Sequence, residues 1–349
     1  MYESYKLTQT VTCLGTLSKW GRPMLLAMVG DVMLGRGVAQ AIERRSPESF
    51  WGDTLPLLRQ ADLMVAGLEC AITTYPVPWS RTPKVFHFRA PPQAIEVLRA
   101  AGVGMVVLAN NHTLDFEVQG LLDTIAYLDA AGIAHAGAGR NLAEAGRPAV
   151  VDAAGVRIGM VAFTDNEPGW AATPDQPGTN YIAIRPDPPT LQRVEQAVVD
   201  ARIHGAQVVI LSLHWGPNMR QRPPAHFQRF ARAVLERGVD LVYGHSAHIF
   251  QGVEVFQRKP ILYDTGDFLD DYAVDQVLRN DQSLIFFADV DAQGVRELRL
   301  VPVRLGYTVV NRAVGEDLEA ICDRMSARSA ELGTQVERAG TTLRINVRT

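Results

Sequence analysis

Short apolar runs in this chain stop, again and again, at a residue that can bind a metal or carry a proton. That recurrence restricts the fold more than any other feature of the sequence. Met24-Leu25-Leu26-Ala27-Met28-Val29 meets Gly30-Asp31, and Ala61-Asp62-Leu63-Met64-Val65-Ala66-Gly67-Leu68 meets Glu69. Met105-Val106-Val107-Leu108-Ala109 meets Asn110-Asn111-His112, residues 207–213 meet His214-Trp215-Gly216, and residues 239–243 meet Gly244-His245-Ser246-Ala247-His248. Runs of this length and composition read as buried strands. Open α/β sheets place their ligands at the carboxyl ends of such strands. Imidazole is the commonest metal ligand and the commonest acid/base group at neutral pH. Taken singly, each residue has an ordinary explanation: Asp31 as a helix cap, Asn111 in a left-handed turn, His214 as a satisfied core residue. Recurring together after apolar strands, they point to one site.

Between the strands the sequence places helices. Residues 117–131 carry Val118, Leu121, Leu122, Ile125 and Leu128 at amphipathic spacing, and further helices are expected near 92–101, 190–204, 224–237 and 315–332. Strands expected near 283–290 and 296–303 read as a late antiparallel pair. The pattern predicts mixed sheets with helices outside them. Residues 24–335 read as a single domain, with 1–23 an N-terminal extension and 336–349 a C-terminal tail. The loop 73–92 holds Trp79, Arg81, Lys84, Phe86, His87 and Arg89, and a loop of that length and content is expected to face substrate. Leu34-Gly35-Arg36-Gly37 lacks the Lys-Ser/Thr of a phosphate-binding loop, and Ala136-Gly137-Ala138-Gly139 lacks a dinucleotide fingerprint.

Composition removes several function classes. A net charge of −4 over 349 residues provides no basic excess for nucleic acid. Cys13, Cys70 and Cys322 are too scattered for a disulfide framework or a thiolate metal site. No apolar run approaches the roughly 20 residues that span a bilayer, and Thr8-Gln9-Thr10-Val11-Thr12 interrupts any signal-peptide core. A cytoplasmic protein is the expectation.

Gly30-Asp31-Val32-Met33-Leu34-Gly35-Arg36, Phe88-Arg89-Ala90-Pro91-Pro92, Asn110-Asn111-His112, His214-Trp215-Gly216, Gly244-His245-Ser246-Ala247-His248 with Gln251-Gly252-Val253-Glu254, and Gly266-Asp267-Phe268 occur in one order. Over residues 24–304 this set resembles the CapA family of capsule and poly-γ-glutamate synthesis proteins, within the calcineurin-like metallophosphatase superfamily. The resemblance implies a four-layer α/β/β/α sandwich of metallophosphatase type. It also implies one or two divalent ions, Zn, Mn or Fe, with Asp31 and His248 on the first, Glu69 bridging, and Asn111, His214 and His245 on the second. His112 would act as general acid or stabilise charge. Two positions depart from the superfamily pattern: Met33 stands where a ligand histidine is expected, and Glu69 where an aspartate is. A thioether is a poor ligand for such ions, so the first position is expected to be the weaker one.

Three functional classes stay open on this scaffold. In the first, metal-assisted hydrolysis acts on an anionic substrate, a carboxylate-rich peptide or a phosphoester, held by Arg36 and Arg89, with Asn110 and Trp215 beside it. In the second, Asp31 with His248 or His112 performs metal-free acid/base chemistry, such as epimerisation of a peptide-like substrate. In the third, the pocket binds a polyanion without catalysis.

Overall fold

The computed structural model describes residues 23–348. Its largest sheet has ten strands, built around the parallel set Met24–Val32, Leu63–Leu68, Val103–Val107 and Ala134–Ala136. On the other side of Met24–Val32 the antiparallel strands Gln282–Asp291, Gly294–Gly306, Thr342–Asn346 and Glu337–Ala339 follow in order. Asp267–Leu269 adds a short parallel strand beside Met24–Val32. The second sheet has six strands, with Val156–Thr164, Val208–His214 and Leu241–His245 parallel at its centre.

The apolar runs lack alternation because both faces of each central strand are buried. Met24, Leu26 and Met28 point into a core shared with Ile158, Met160, Val208, Ile210, Leu241 and Tyr243 of the other sheet. Ala27 and Val29 face the opposite way, toward Val38, Leu98, Leu121 and Ile125 on helices Arg36–Ile42, Ala94–Ala101 and Glu117–Ala131. On the far side of the second sheet, Val161, Val209, Leu211 and Val242 pack under helices Pro188–Ile203 and Ala225–Leu235. The result is the expected α/β/β/α layering. Local signals set the helix ends: Gly132, at φ 68°, terminates Glu117–Ala131, and the Asp187 carboxylate caps the start of Pro188–Ile203.

One boundary differs from the sequence reading. Residues 336–349 are not a tail up to the end of the described chain. Thr342–Asn346 pairs with Gly294–Gly306, and Leu343, Ile345 and Val347 are buried in the core between the sheets. Their period-two spacing is that of a strand with one buried face. The proposed extension, residues 1–23, lies outside the described residues except for Pro23.

Candidate metal centre

Parallel strands end on the same edge, and the two sheets stack so that both carboxyl edges meet. Asp31 sits there, 1% exposed, in register with Gly67 on one side and Asp267 on the other. Its Oδ2 accepts the Ser246 N–H at 3.2 Å, while Oδ1 lies 3.0 Å from His245 Nδ1 and 3.8 Å from His214 Nδ1. Gly67 makes room for this carboxylate: a Cβ there would lie 2.4 Å from Asp31 Oδ1. The adjacent strand ends place His214 opposite His245, with their Nδ1 atoms 2.9 Å apart. Ser212 Oγ, 3.0 Å from His245 Nε2, fixes that ring from behind.

A second group lies against the first. Asp31, Glu69, His248 and Asp267 each offer a ligand atom within 4.8 Å of the others, and Asp31 also belongs to the group with His214 and His245. Asp31 therefore joins the two groups, the role the resemblance gives to Glu69. Glu69 reaches both as well, its Oε1 lying 4.0 Å from His214 Nε2 and its Oε2 held by the Tyr272 hydroxyl at 3.0 Å.

The donor set suits divalent cations. Asp31 Oδ1, Glu69 Oε1, Asn111 Oδ1, His214 Nε2 and Asp267 Oδ2 are all buried without a hydrogen-bond partner. Buried polar atoms in that condition cost roughly 1–3 kcal/mol each unless something else binds them. Among the described residues, every ion pair these carboxylates make is with a histidine. Burial, and then the Asp31 charge, pushes the Glu69 carboxyl well above its usual range. Burial holds the His214 and His112 rings well below the ordinary imidazole value, so both are neutral and able to act as ligands or bases. Burial opposes charge on His248 too, but Asp267 and Glu69 outweigh it and hold the ring well above that value.

His112 stands beside the centre. Its Nδ1 bonds Asp115 Oδ2 at 2.6 Å, its Nε2 lies 3.9 Å from Glu69 Oε1, and its ring stacks on Phe88 at 4.0 Å. A cavity of about 630 Å³ opens in front, lined by Arg36, Phe86, Asn111, His112, His248 and Tyr272, among others. Four of its lining residues, Arg36, Glu167, Met219 and His248, have φ between 48° and 61°. Left-handed backbone at non-glycine residues is costly and gathers at functional sites.

The expected substrate wall is only partly there. Arg36 is at the mouth, 3.4 Å from Asp271, with its guanidinium over Phe86, Phe88 and Tyr272. Arg89 is not: it donates to the Tyr75 carbonyl and lies over Phe116. Asn110 is wholly buried and structural, donating to the Leu68 carbonyl and accepting from the His112 N–H. Trp215 is also core. Its indole N–H donates to Tyr263 O and its ring stacks on Phe227, because the residue after His214 in a strand-end segment points to the opposite face. Lys84, from the long loop, is a buried strut between Asp115, Glu167 and the Asn111 carbonyl, and no free cation. Met33 is wholly buried in the outer core, with its sulfur accepting the Gly35 N–H. Asp267 as a candidate ligand, and Tyr272 and Asp115 as hydrogen-bond partners, are not evident from strand ends alone. The available signal for Asp267 was its place in Gly266-Asp267-Phe268, since the apolar Ile261-Leu262-Tyr263 is followed first by Asp264.

The chain is similar to several known proteins. The family described as bacterial capsule synthesis protein PGA_cap matches residues 25–272. A Mycobacterium tuberculosis (strain ATCC 25618 / H37Rv) protein named as a probable polyglutamine synthesis accessory protein is 30% identical, covering 90% of this chain and 94% of that one. The capsule biosynthesis protein CapA of Bacillus anthracis is 28% identical over 71% of this chain, which spans 60% of that relative's length. Among solved structures, the sulfate thiohydrolase SoxB of Thermus thermophilus aligns with 94% of this chain and 62% of its own, at 11% identity and a TM-score of 0.44. With the match extending from the first central strand to Tyr272, the chain belongs to the bacterial capsule synthesis PGA_cap family.

Proposed function

We propose that this chain is a metal-dependent hydrolase whose substrate carries carboxylates on a peptide-like chain. The observation that carries the reading is the set of unpartnered, buried donor atoms at the base of the cavity: Asp31 Oδ1, Glu69 Oε1, Asn111 Oδ1, His214 Nε2 and Asp267 Oδ2. Asp31, His214, His245 and Asn111 would hold one divalent ion, and Asp31, Glu69, His248 and Asp267 another. Such ions supply Lewis-acid polarisation and a lowered pKa for water. The chain's own residues supply the rest. Asp115 fixes His112 through Nδ1 and leaves Nε2 facing the cavity, where it can take or give a proton. Arg36 offers a guanidinium fork to an anionic group, and Phe86, Phe88 and Tyr272 pack beside whatever that group is attached to. The names of the relatives, in capsule, PGA and polyglutamine synthesis, favour a peptide-like polymer over a phosphoester, and the resemblance to poly-γ-glutamate synthesis proteins supplies the carboxylates.

The test is hydrolysis of oligo-γ-glutamate and of a generic phosphodiester, before chelation, after chelation and after metal is restored. The reading expects cleavage of the former that is lost on chelation and regained with metal. Undiminished turnover by the chelated protein would transfer the assignment to metal-free acid/base chemistry. Binding of oligo-glutamate with no turnover in any metal state would make the protein an accessory.

A further inference from the structure

Within the metal centre the two donor groups differ in chemistry, and the difference begins at Met33. The superfamily pattern expects a histidine ligand there, yet the Met33 side chain is turned into the outer core. On the neighbouring strand, Asp267 lies in register with Asp31. The two segments approach unusually closely: the Asp31 N–H donates to Gly266 O at 3.0 Å, and a Cβ on Gly30 would sit 1.8 Å from that oxygen. Gly266 itself has φ 73°. Glycine at both places allows the 265–268 segment to bring a carboxylate to the strand end. Asp267 is 1% exposed; its Oδ1 lies 2.7 Å from His248 Nδ1, and its Oδ2 has no partner.

We propose that Asp267 takes the ligand position that Met33 leaves, and that this makes the centre chemically asymmetric. The Asp31–Glu69–His248–Asp267 side has three carboxylates and one imidazole; the Asp31–His214–His245 side has two imidazoles and one carboxylate. Oxygen-rich sets favour hard cations such as Mn2+, and nitrogen-rich sets favour Zn2+. The first position is therefore a hard-ion site, not a vacant one. This rests on the metal-centre reading above.

The experiment is equilibrium binding of Mn2+ and Zn2+, separately and in competition. Bound Mn2+ is followed by its electron paramagnetic resonance and total metal by elemental analysis, on wild type, Asp267→Asn and Met33→His. Asparagine keeps an oxygen to accept from His248, so the variant removes the ligand charge while leaving the ring supported. With Mn2+ in excess over Zn2+, wild type is expected to hold one Mn2+ and one Zn2+ together. Asp267→Asn should bind Mn2+ at least tenfold more weakly and keep its Zn2+, and Met33→His should match wild type. Wild type with two equivalent Zn2+ sites and no Mn2+ preference would overturn the inference, as would Asp267→Asn retaining wild-type Mn2+ affinity. Wild type that binds neither ion would overturn the centre itself, and this inference with it.

Discussion

Side-chain direction decides most of the site at the scale of single residues. Gly67 has no side chain because Asp31 Oδ1 occupies the space a Cβ would take, and His245 Nδ1 lies 3.5 Å from the same point. Gly67→Ala should cost about 1–3 kcal/mol of stability through overpacking and should abolish metal uptake, read by thermal melting and elemental analysis. His112 lines the cavity, with its Nδ1 engaged by Asp115. His112→Ala should lower kcat by roughly 10²–10⁴-fold, as loss of an acid/base group does, with bound metal unchanged. Arg36 is 40% exposed and partly engaged by Asp271, so its contribution belongs at the lower end for a charge-assisted bond. Arg36→Ala should weaken oligo-glutamate binding about tenfold, and Arg89→Ala should leave it unchanged, as measured by calorimetry. What the sequence revealed here was residue type and not direction. Asp31, Glu69, Asn111, His112, His214, His245 and His248 lie at or just beyond the carboxyl ends of strands that finish on one edge. Asn110 and Trp215 are their immediate neighbours, and adjacency in sequence said nothing about which face each would present. Asp267 was not legible as a candidate ligand because it opens a strand of only three residues and does not close one.

Among the elements, the apolar runs were legible because strands covered on both faces need a continuous apolar sequence. The helix expected over residues 117–131 is the helix observed. Strand Thr342–Asn346 was missed because only Leu343 and Ile345 within it are buried, and short alternation next to a polar stretch resembles a loop. It completes a core, so Leu343→Ala should cost about 2–5 kcal/mol, the range for large-to-small changes at buried sites. Chemical denaturation checks this, and an effect below 1 kcal/mol would return the segment to the status of a tail. Loop 73–92 was expected to face substrate, and Phe86 and Lys84 do line the cavity. Lys84 does so as a strut: a cation from the loop is consumed in supporting Asp115 and the backbone of Asn111.

For the whole molecule, the stacking of two sheets concentrates negative charge at one buried place, and this gives stability a pH dependence. Burial raises Asp267 from 3.8 to about 6 and raises Glu69 well above 4.5, so the metal-free fold holds protons that the unfolded chain has released. Each such carboxyl contributes stability at low pH that is lost as pH rises between its unfolded and folded values. For Asp267 that loss is on the order of 3 kcal/mol between about pH 4 and pH 6. His248, with its pKa raised by Asp267 and Glu69, stabilises the fold below its unfolded value and loses that contribution as pH climbs through the raised one. Asp31, held low by His245 and His214 despite burial, acts in the opposite sense in strong acid, and His214 and His112, held low by burial, do so up to about pH 6.5. Asp115 and Asp264, raised by burial to about 7, add to the main trend and outweigh them. The chelated protein should therefore melt at a lower temperature at pH 8 than at pH 5. Metal, which displaces these protons, should remove that slope.

Anomalous diffraction from crystals grown with Mn2+ and Zn2+ tests the centre most directly. Two peaks are expected beneath the cavity that share Asp31, one beside His214 and His245 and the other beside Glu69, His248 and Asp267. No peak at these residues, or a single ion held by other side chains, would contradict that expectation.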